Sequence, residues 1–216
     1  MLKAADGHTF ETHLAMPKGA PRGGVVVVQE AFGLNAYVRG LCEEFAAEGY
    51  AALAPALYDR QQRGAAWDSH EGEALENARR LRRGLVWEDV LKDIGACVAR
   101  LREFGRVGVV GYCVGGSVAW LAAIELEVAA AVCYYGRDVV DFLGRAPRCP
   151  AMLHFGDKDH LIPLADVQKI RGAFPALPVY VYDAPHGFDR ERKGEPSRSA
   201  RTRTLQFLGR HLGSEA

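Results

Sequence analysis

The segment around Cys113 constrains the fold of this chain more than any other. Residues 107–110 are apolar and lead directly into the motif Gly-x-Cys-x-Gly at 111–115, after which a helical pattern begins. This is the layout of a nucleophile elbow, with cysteine in the place that serine usually takes. The turn is sharp, so the positions two before and two after the nucleophile need small residues, and both are glycine. The positive end of the following helix favours a thiolate at the sulfur.

Composition sets the broad class of the protein. The chain has 216 residues, 49% of them hydrophobic, which suits one α/β domain with a large core. Lys and Arg together number 27, and so do Asp and Glu, so no bulk charge draws the chain to nucleic acid or an anionic membrane. No apolar run approaches the length of a membrane span, and the N-terminus lacks the apolar core of a signal peptide. We expect a cytoplasmic monomer or small homo-oligomer.

The five cysteines argue against a disulfide framework. They are scattered, odd in number and contain no Cys-x-x-Cys pair, so a zinc ribbon is not expected either. Cys42 and Cys97 fall in helical patterns and Cys133 in an apolar strand, where small buried core residues are expected. A free catalytic thiol fits a reducing compartment. The chemistry that we derive below needs no metal and no organic cofactor.

Strand and helix patterns alternate along the chain, after a hairpin-like stretch near 9–16. The predicted strands are 25–28, 51–54, 107–110, 128–135, 151–155 and 179–182, and the predicted helices are 35–48, 87–101, 114–124 and 197–212. Such alternation predicts a mostly parallel central sheet with helices on both faces. No repeat or linker divides the chain, so we expect a single domain over residues 1–216.

One irregular insertion, residues 56–86, separates a strand from a helix. Between Arg60 and Arg83 it carries six arginines against four acidic residues. One interpretation is a solvated helix face. The other is a cap segment over the site, with a basic side that attracts an anionic substrate.

A nucleophilic cysteine needs a base, and the base needs an acid that orients it. In α/β-hydrolases these residues follow in the order nucleophile, acid, histidine. After Cys113, two predicted strands end in Gly156-Asp157-Lys158-Asp159 and in Asp183-Ala184-Pro185-His186. Open α/β sheets place their sites at these strand ends. We therefore expect His186 as the base, and Asp159 as the acid rather than Asp157, because apolar residues 161–163 anchor it.

The remaining histidines are expected to have no catalytic role. His154 lies within a strand and is predicted to be a core residue, and His160 is expected to pack locally beside the acid. The others are expected at the surface, namely His8, His13, His70 and His211.

The oxyanion hole is expected from two backbone N–H groups, those of Val114 and of Ala31 after the strand 25–28. Glu30 stands beside Ala31 and faces the elbow. Its carboxylate would disfavour a thiolate through like charge, so it is a candidate for holding Cys113 protonated until substrate moves it. The alternative is a structural cap on the loop that follows.

Together these residues resemble the dienelactone hydrolase family, which has an α/β-hydrolase fold. The resemblance spans nearly the whole chain. Its most specific segments are Gln-Glu-x-Phe-Gly at 29–33 and Gly-Tyr-Cys-x-Gly-Gly at 111–116. It implies that Cys113, Asp159 and His186 form the catalytic triad and that Glu30 is the partner of the thiol. It also implies that Arg190 holds a substrate carboxylate and that Phe32 belongs to the substrate-binding residues.

The chain departs from the family within the insertion. Members that cleave dienelactone have an arginine and a tyrosine on its helix, and ungapped counting places Leu75 and Arg79 at these positions. One leg of a two-arginine carboxylate clamp is therefore absent. Arg79 lies one turn along the same face and is a candidate replacement, the alternative being a solvated side chain.

We therefore predict a hydrolase of a small, anionic ester or lactone that works through an acyl-enzyme on Cys113. One rival is a redox or stress-response thiol protein of the flavodoxin-like type, which would not need Asp159 and His186. The other is a catalytically idle hydrolase-fold binding module, against which the intact triad argues.

Overall fold

The computed structural model describes residues 1–213 and contains a seven-stranded sheet at its centre. In spatial order the strands are β3 (Thr12–Ala15), β5 (Ala51–Pro55), β4 (Gly24–Val28), β6 (Val107–Tyr112), β7 (Ala130–Tyr134), β8 (Ala151–Gly156) and β9 (Val179–Tyr182). Within this sheet β3 is antiparallel to its neighbour β5, and all other neighbouring strands are parallel to each other. The predicted mostly parallel α/β sheet is confirmed.

Helices cover both faces of the sheet, as predicted. They are α1 (Ala36–Ala47), α2 (Gly72–Arg83), α3 (Trp87–Leu101), α4 (Val114–Glu125), α5 (Leu164–Ala173) and α6 (Glu195–Leu212). The central strands β4 to β8 are completely buried, because helices pack on either side of them. Burial on both faces explains why these strands are continuous apolar runs. In a sheet with one exposed face, apolar and polar residues would alternate along each strand.

The expected hairpin at 9–16 is wrong. A turn at Gly7 pairs β1 (Leu2–Lys3) with β2 (Thr9–Phe10) in a separate two-stranded ribbon. The next residue, Glu11, donates its backbone N–H to the buried carboxylate of Asp59. After Glu11 the chain continues as β3, which joins the edge of the main sheet by pairing with β5.

Two further differences concern the length of one strand and a helix that was not predicted. The strand expected over 128–135 is shorter, since Tyr135 has a positive φ of 37° and leaves the strand conformation. Helix α5 was not predicted, because its apolar contribution to the core is narrow, with Val167 and Ile170 as its buried residues.

The insertion 56–86 contains helix α2, which presents three apolar side chains to the protein interior: Ala74, Ala78 and Leu81. Leu81 packs with Tyr58 and Ala65 in a small cluster of their own, separate from the main core. None of the helices in the described part of the chain is long and apolar enough to cross a membrane.

Candidate active site

The turn between β6 and α4 holds Cys113 in a strained backbone conformation, with φ 56° and ψ −118°. Its neighbours explain why this turn needs glycine: a Cβ on Gly111 would collide with the carbonyl of Gly115, and one on Gly115 with the carbonyl of Val28. A positive φ at a non-glycine residue persists only where the surroundings enforce it. The structure therefore places the sulfur at the carboxyl end of the central strand, half-exposed to a pocket.

Three side chains that are far apart in sequence meet at this sulfur. His186 Nε2 lies 3.2 Å from Cys113 Sγ, and His186 Nδ1 lies 2.7 Å from Asp159 Oδ2. The Asp159 side chain is fully buried, and that of His186 is 8% exposed. The arrangement links a thiol, an imidazole and a carboxylate in one hydrogen-bonded row.

The two aspartates at the end of β8 have different partners. Asp159 Oδ1 accepts hydrogen bonds from the N–H groups of Leu161 and Ile162, at 2.8 and 3.2 Å, which fix the carboxylate with its other oxygen toward His186. Asp157 is exposed and instead accepts from the N–H of Ala184, two residues before the histidine. The structure thus brings Asp159 to His186, while Asp157 ties the two loops together.

The environment of His186 changes its proton affinity. Burial by itself lowers the pKa of the imidazole, but the hydrogen bonds to Asp159 and to Cys113 outweigh burial and raise its pKa to about 10. The Asp159 carboxylate beside Nδ1 favours the charged ring. These contacts therefore oppose the loss of a proton from the His186 ring.

Glu30 does not bond to the thiol as the sequence led us to expect. Its Oε2 accepts a hydrogen bond of 2.6 Å from Arg190 Nε, and within residues 1–213 its Oε1 has no partner. A guanidinium is a charge-assisted donor and a thiol is a weak one, so Arg190 takes the buried carboxylate. The contact also removes one of the five N–H donors of Arg190 from any role toward a ligand.

The two backbone N–H groups expected to form an oxyanion hole both border the pocket. Ala31 follows strand β4, and Val114 opens helix α4 directly after the cysteine. Across residues 1–213, neither N–H donates to another protein group. The Gly115 N–H is not available in this way, since it donates to the carbonyl of Gln29 at 3.1 Å. That bond joins the two segments that carry Ala31 and Val114.

A pocket of about 500 Å³ lies over the sulfur. The loops after strands β4, β6, β7, β8 and β9 form one side of it, and the insertion forms the other through α2. Both Leu75 and Arg79 line it, so the insertion covers the pocket as a cap would. Phe32 and Arg190 also line the pocket and lie together, with the guanidinium carbon 5.5 Å from the ring centre.

Four further residues that we had not assigned to the site lie against it. His70, expected at the surface, is half-buried with its ring edge on Phe32, and His160 lines the pocket instead of packing locally. Arg137 also lines the pocket, and the ring of Tyr135 packs against His186 at 5.0 Å. Tyr135 ends the predicted strand 128–135 and Arg137 follows it, at the strand end where such sheets place their sites, and that position was the sequence signal for both.

His154 is a completely buried core residue, as predicted. Cys42, Cys97 and Cys133 are buried as well. Throughout residues 1–213, no group of three or more histidine, cysteine, aspartate or glutamate side chains is arranged to hold a metal ion.

Comparison with known proteins places this site in a family. The family model described as "Dienelactone hydrolase family" matches residues 10–212. A carboxymethylenebutenolidase of Pseudomonas putida is 36% identical over 221 residues, which cover 96% of this chain and 94% of the relative. One from Pseudomonas sp. strain P51 is 34% identical, covering 97% and 93%.

Solved structures show the same likeness in three dimensions. A Klebsiella pneumoniae protein assigned as a dienelactone hydrolase superposes with a TM-score of 0.82 at 27% identity, covering 97% of both chains. An esterase from Pyrococcus furiosus has a TM-score of 0.72 at 18% identity and shares the fold.

Proposed function

This chain belongs to the dienelactone hydrolase family, and on that premise we propose that it cleaves a small ester or lactone through an acyl-enzyme on Cys113. Family membership makes it a hydrolase of carboxylic ester or lactone bonds. The residues that carry the reaction and the kind of substrate are the proposal.

The two contacts that join Cys113 to His186 and His186 to Asp159 are the observation on which this proposal rests. With the pKa of His186 raised to about 10, the proton between Nε2 and Sγ is proposed to lie on the ring when Sγ attacks. A thiolate is the nucleophilic form of cysteine. Asp159 keeps Nδ1 protonated and fixes the plane of the ring, so Nε2 remains directed at the sulfur.

The reaction follows from this arrangement. Sγ attacks the carbonyl carbon, and the oxygen that becomes negative accepts hydrogen bonds from the N–H groups of Ala31 and Val114. The ester bond then breaks, and the leaving oxygen takes the proton of His186 Nε2, which produces a thioester on Cys113. Water next gives a proton to His186 while its oxygen attacks the thioester, and the thiolate departs. Each oxyanion donor is worth roughly 3 kcal/mol of transition-state stabilisation.

Arg190 is proposed to bind a carboxylate on the substrate near the reacting carbonyl. Its guanidinium is fixed by Glu30 through Nε and lies on Phe32, which leaves the remaining N–H donors for a ligand. Glu30 is thus proposed to hold Arg190 in place.

Replacing the nucleophile tests this mechanism. We expect Cys113→Ala to lower kcat/KM on an activated aryl ester by roughly 10³-fold or more, because no group remains to form the acyl-enzyme. Cys149→Ala is the matched control, since Cys149 is a half-buried free thiol that does not border the pocket. Mass spectrometry of a quenched reaction should find the acyl group on Cys113 alone.

Full activity in Cys113→Ala would exclude the proposed mechanism. Consumption of peroxide without ester turnover by the wild-type protein would instead support the redox alternative. Substrate binding without turnover in both wild type and variant would support the idle binding module.

A further inference from the structure

The pocket is also lined by arginines from elements other than the loop that carries Arg190. Five arginines line the pocket, and none of its lining residues within 1–213 is acidic. Two of them, Arg79 and Arg83, are four residues apart on α2 and continue the face that Leu75 begins. Arg137, on the loop after β7, is the third member of what we call the rim arginines.

The other two pocket arginines are already paired. Arg190 bonds to Glu30, as described above. Both oxygens of Asp138 accept from Arg82 Nη2 at 2.7 Å. Neither Arg79 nor Arg83 has a carboxylate within 4 Å among the described residues, and Arg137 Nε is 3.6 Å from the already paired Asp138. Five guanidinium groups against two carboxylates leave three positive charges unbalanced at the pocket.

The Arg82–Asp138 pair also determines where the rim arginines lie. It joins the last turn of α2 to the loop after β7, and Ser117 fixes Asp138 from below through bonds of 3.0 and 3.1 Å. The residue next to Asp138 is Arg137, so this pair holds Arg137 beside the helix that carries Arg79 and Arg83. Three arginines from two elements thereby border one mouth of the pocket.

Arg79, Arg83 and Arg137 are exposed to solvent where they line the pocket. Arg80 is on the same helix turn, and its guanidinium bonds to Gln62 and Asn77, away from the pocket. Like charges that share one water-filled pocket repel each other, and an anion between them relieves that repulsion. Guanidinium groups bind carboxylate and phosphate oxygens in a two-pronged geometry.

We infer that the rim arginines form a distal anion subsite, and that the substrate is an ester or lactone with a second anionic group at the end remote from its reacting carbonyl. The inference rests on the proposed function. Arg190 then takes the group near the carbonyl, and Leu75 contacts the apolar part between the two ends. A pocket of about 500 Å³ is within the range that accommodates ligands of this length. Carboxylate and phosphate both satisfy the subsite.

The test compares 4-nitrophenyl esters that differ only at the far end of the acyl chain. One series ends in a carboxylate, a second in a phosphate, and a neutral series of equal length ends in a methyl ester. In Arg79→Gln/Arg83→Gln we expect the ratio of kcat/KM for charged over neutral substrate to fall roughly tenfold, mainly through KM. Arg137→Gln should lower the same ratio. Added salt should raise KM for the charged series only.

Arg80→Gln is the matched control, because it removes an equal charge from the same helix outside the pocket. An unchanged charged-to-neutral ratio in Arg79→Gln/Arg83→Gln, or an equal fall in Arg80→Gln, would overturn the subsite. Whichever charged series loses more identifies the natural anion. The neutral series reports on the proposed function independently: if Cys113→Ala hydrolyses the neutral esters as fast as the wild type does, the mechanism fails rather than the subsite.

Discussion

At the scale of single residues, the proton affinity of His186 depends on which of two neighbouring aspartates contacts its ring. Asp157 and Asp159 leave the same strand end, but only Asp159 reaches the imidazole. The pKa of His186 is raised above its usual 6.5, so the charged ring stabilises the native state fully below pH 6.5. That contribution is lost as the pH rises through about 10.

Asp159→Asn should therefore lower the pKa of His186 well below its wild-type value, because an amide supplies no charge to the imidazolium. NMR titration of the His186 ring carbons measures it. Asp157→Asn is the control and should leave that titration near the wild-type value. If the pKa of His186 is the same in Asp159→Asn as in the wild type, a group other than Asp159 raises it.

At the scale of elements, helix α2 is held over the pocket by few contacts. Its apolar face contributes to a small cluster separate from the main core. The Arg82–Asp138 pair is its link to the β7 loop, with side chains that are 23% and 11% exposed. An element with so little buried apolar surface opens more readily than the central sheet.

We expect Arg82→Met to destabilise the protein by roughly 2 kcal/mol, since it leaves the mostly buried Asp138 with only the longer, 3.6 Å contact to Arg137. Hydrogen exchange should accelerate over residues 72–83 before it changes in β6 or β7. Arg80→Met, at an exposed site on the same helix, is the comparison. If both variants exchange equally fast over this segment, the ion pair does not hold the helix.

At the scale of the whole molecule, a buried histidine makes stability sensitive to acid. His154 is completely buried in β8, where Tyr182 Oη and Thr204 Oγ1 lie 2.9 and 3.2 Å from its ring nitrogens. Burial first, and then the charge of Arg203, lowers its pKa to about 3. The unfolded chain binds a proton there below pH 6.5 and the native state does not, so stability is lost from pH 6.5 down toward 3.

His154→Gln should reduce this acid sensitivity, even where losing the two hydrogen bonds lowers overall stability. We expect the slope of unfolding free energy against pH between 6.5 and 4 to decrease by up to about 1.4 kcal/mol per pH unit. Urea unfolding at several pH values gives the slope. His160→Gln, an exposed histidine, serves as the reference, and an identical slope in wild type and His154→Gln would contradict the assignment.

The fold was predictable because its signals are local. Continuous apolar strands, one helical stripe and the glycines at 111 and 115 act over a few residues each, and the parallel α/β sheet follows from their alternation. The edge strand β3 was mispredicted because its partner is β5, about 40 residues further along the chain, and not its neighbour in sequence. No local pattern encodes such a contact.

For the site, the sequence by itself determined the elbow cysteine, the order of candidate acid and base, and the strand ends that carry them. These follow from the steric limits of one turn and from strands that all end at one edge of the sheet. Only the tertiary structure decided that Glu30 pairs with Arg190, 160 residues away, and not with the thiol, and that Arg79, Arg83 and Arg137 border one pocket. Side chains from distant segments compete for the same partners, and that competition is resolved only when the loops that carry them are packed together.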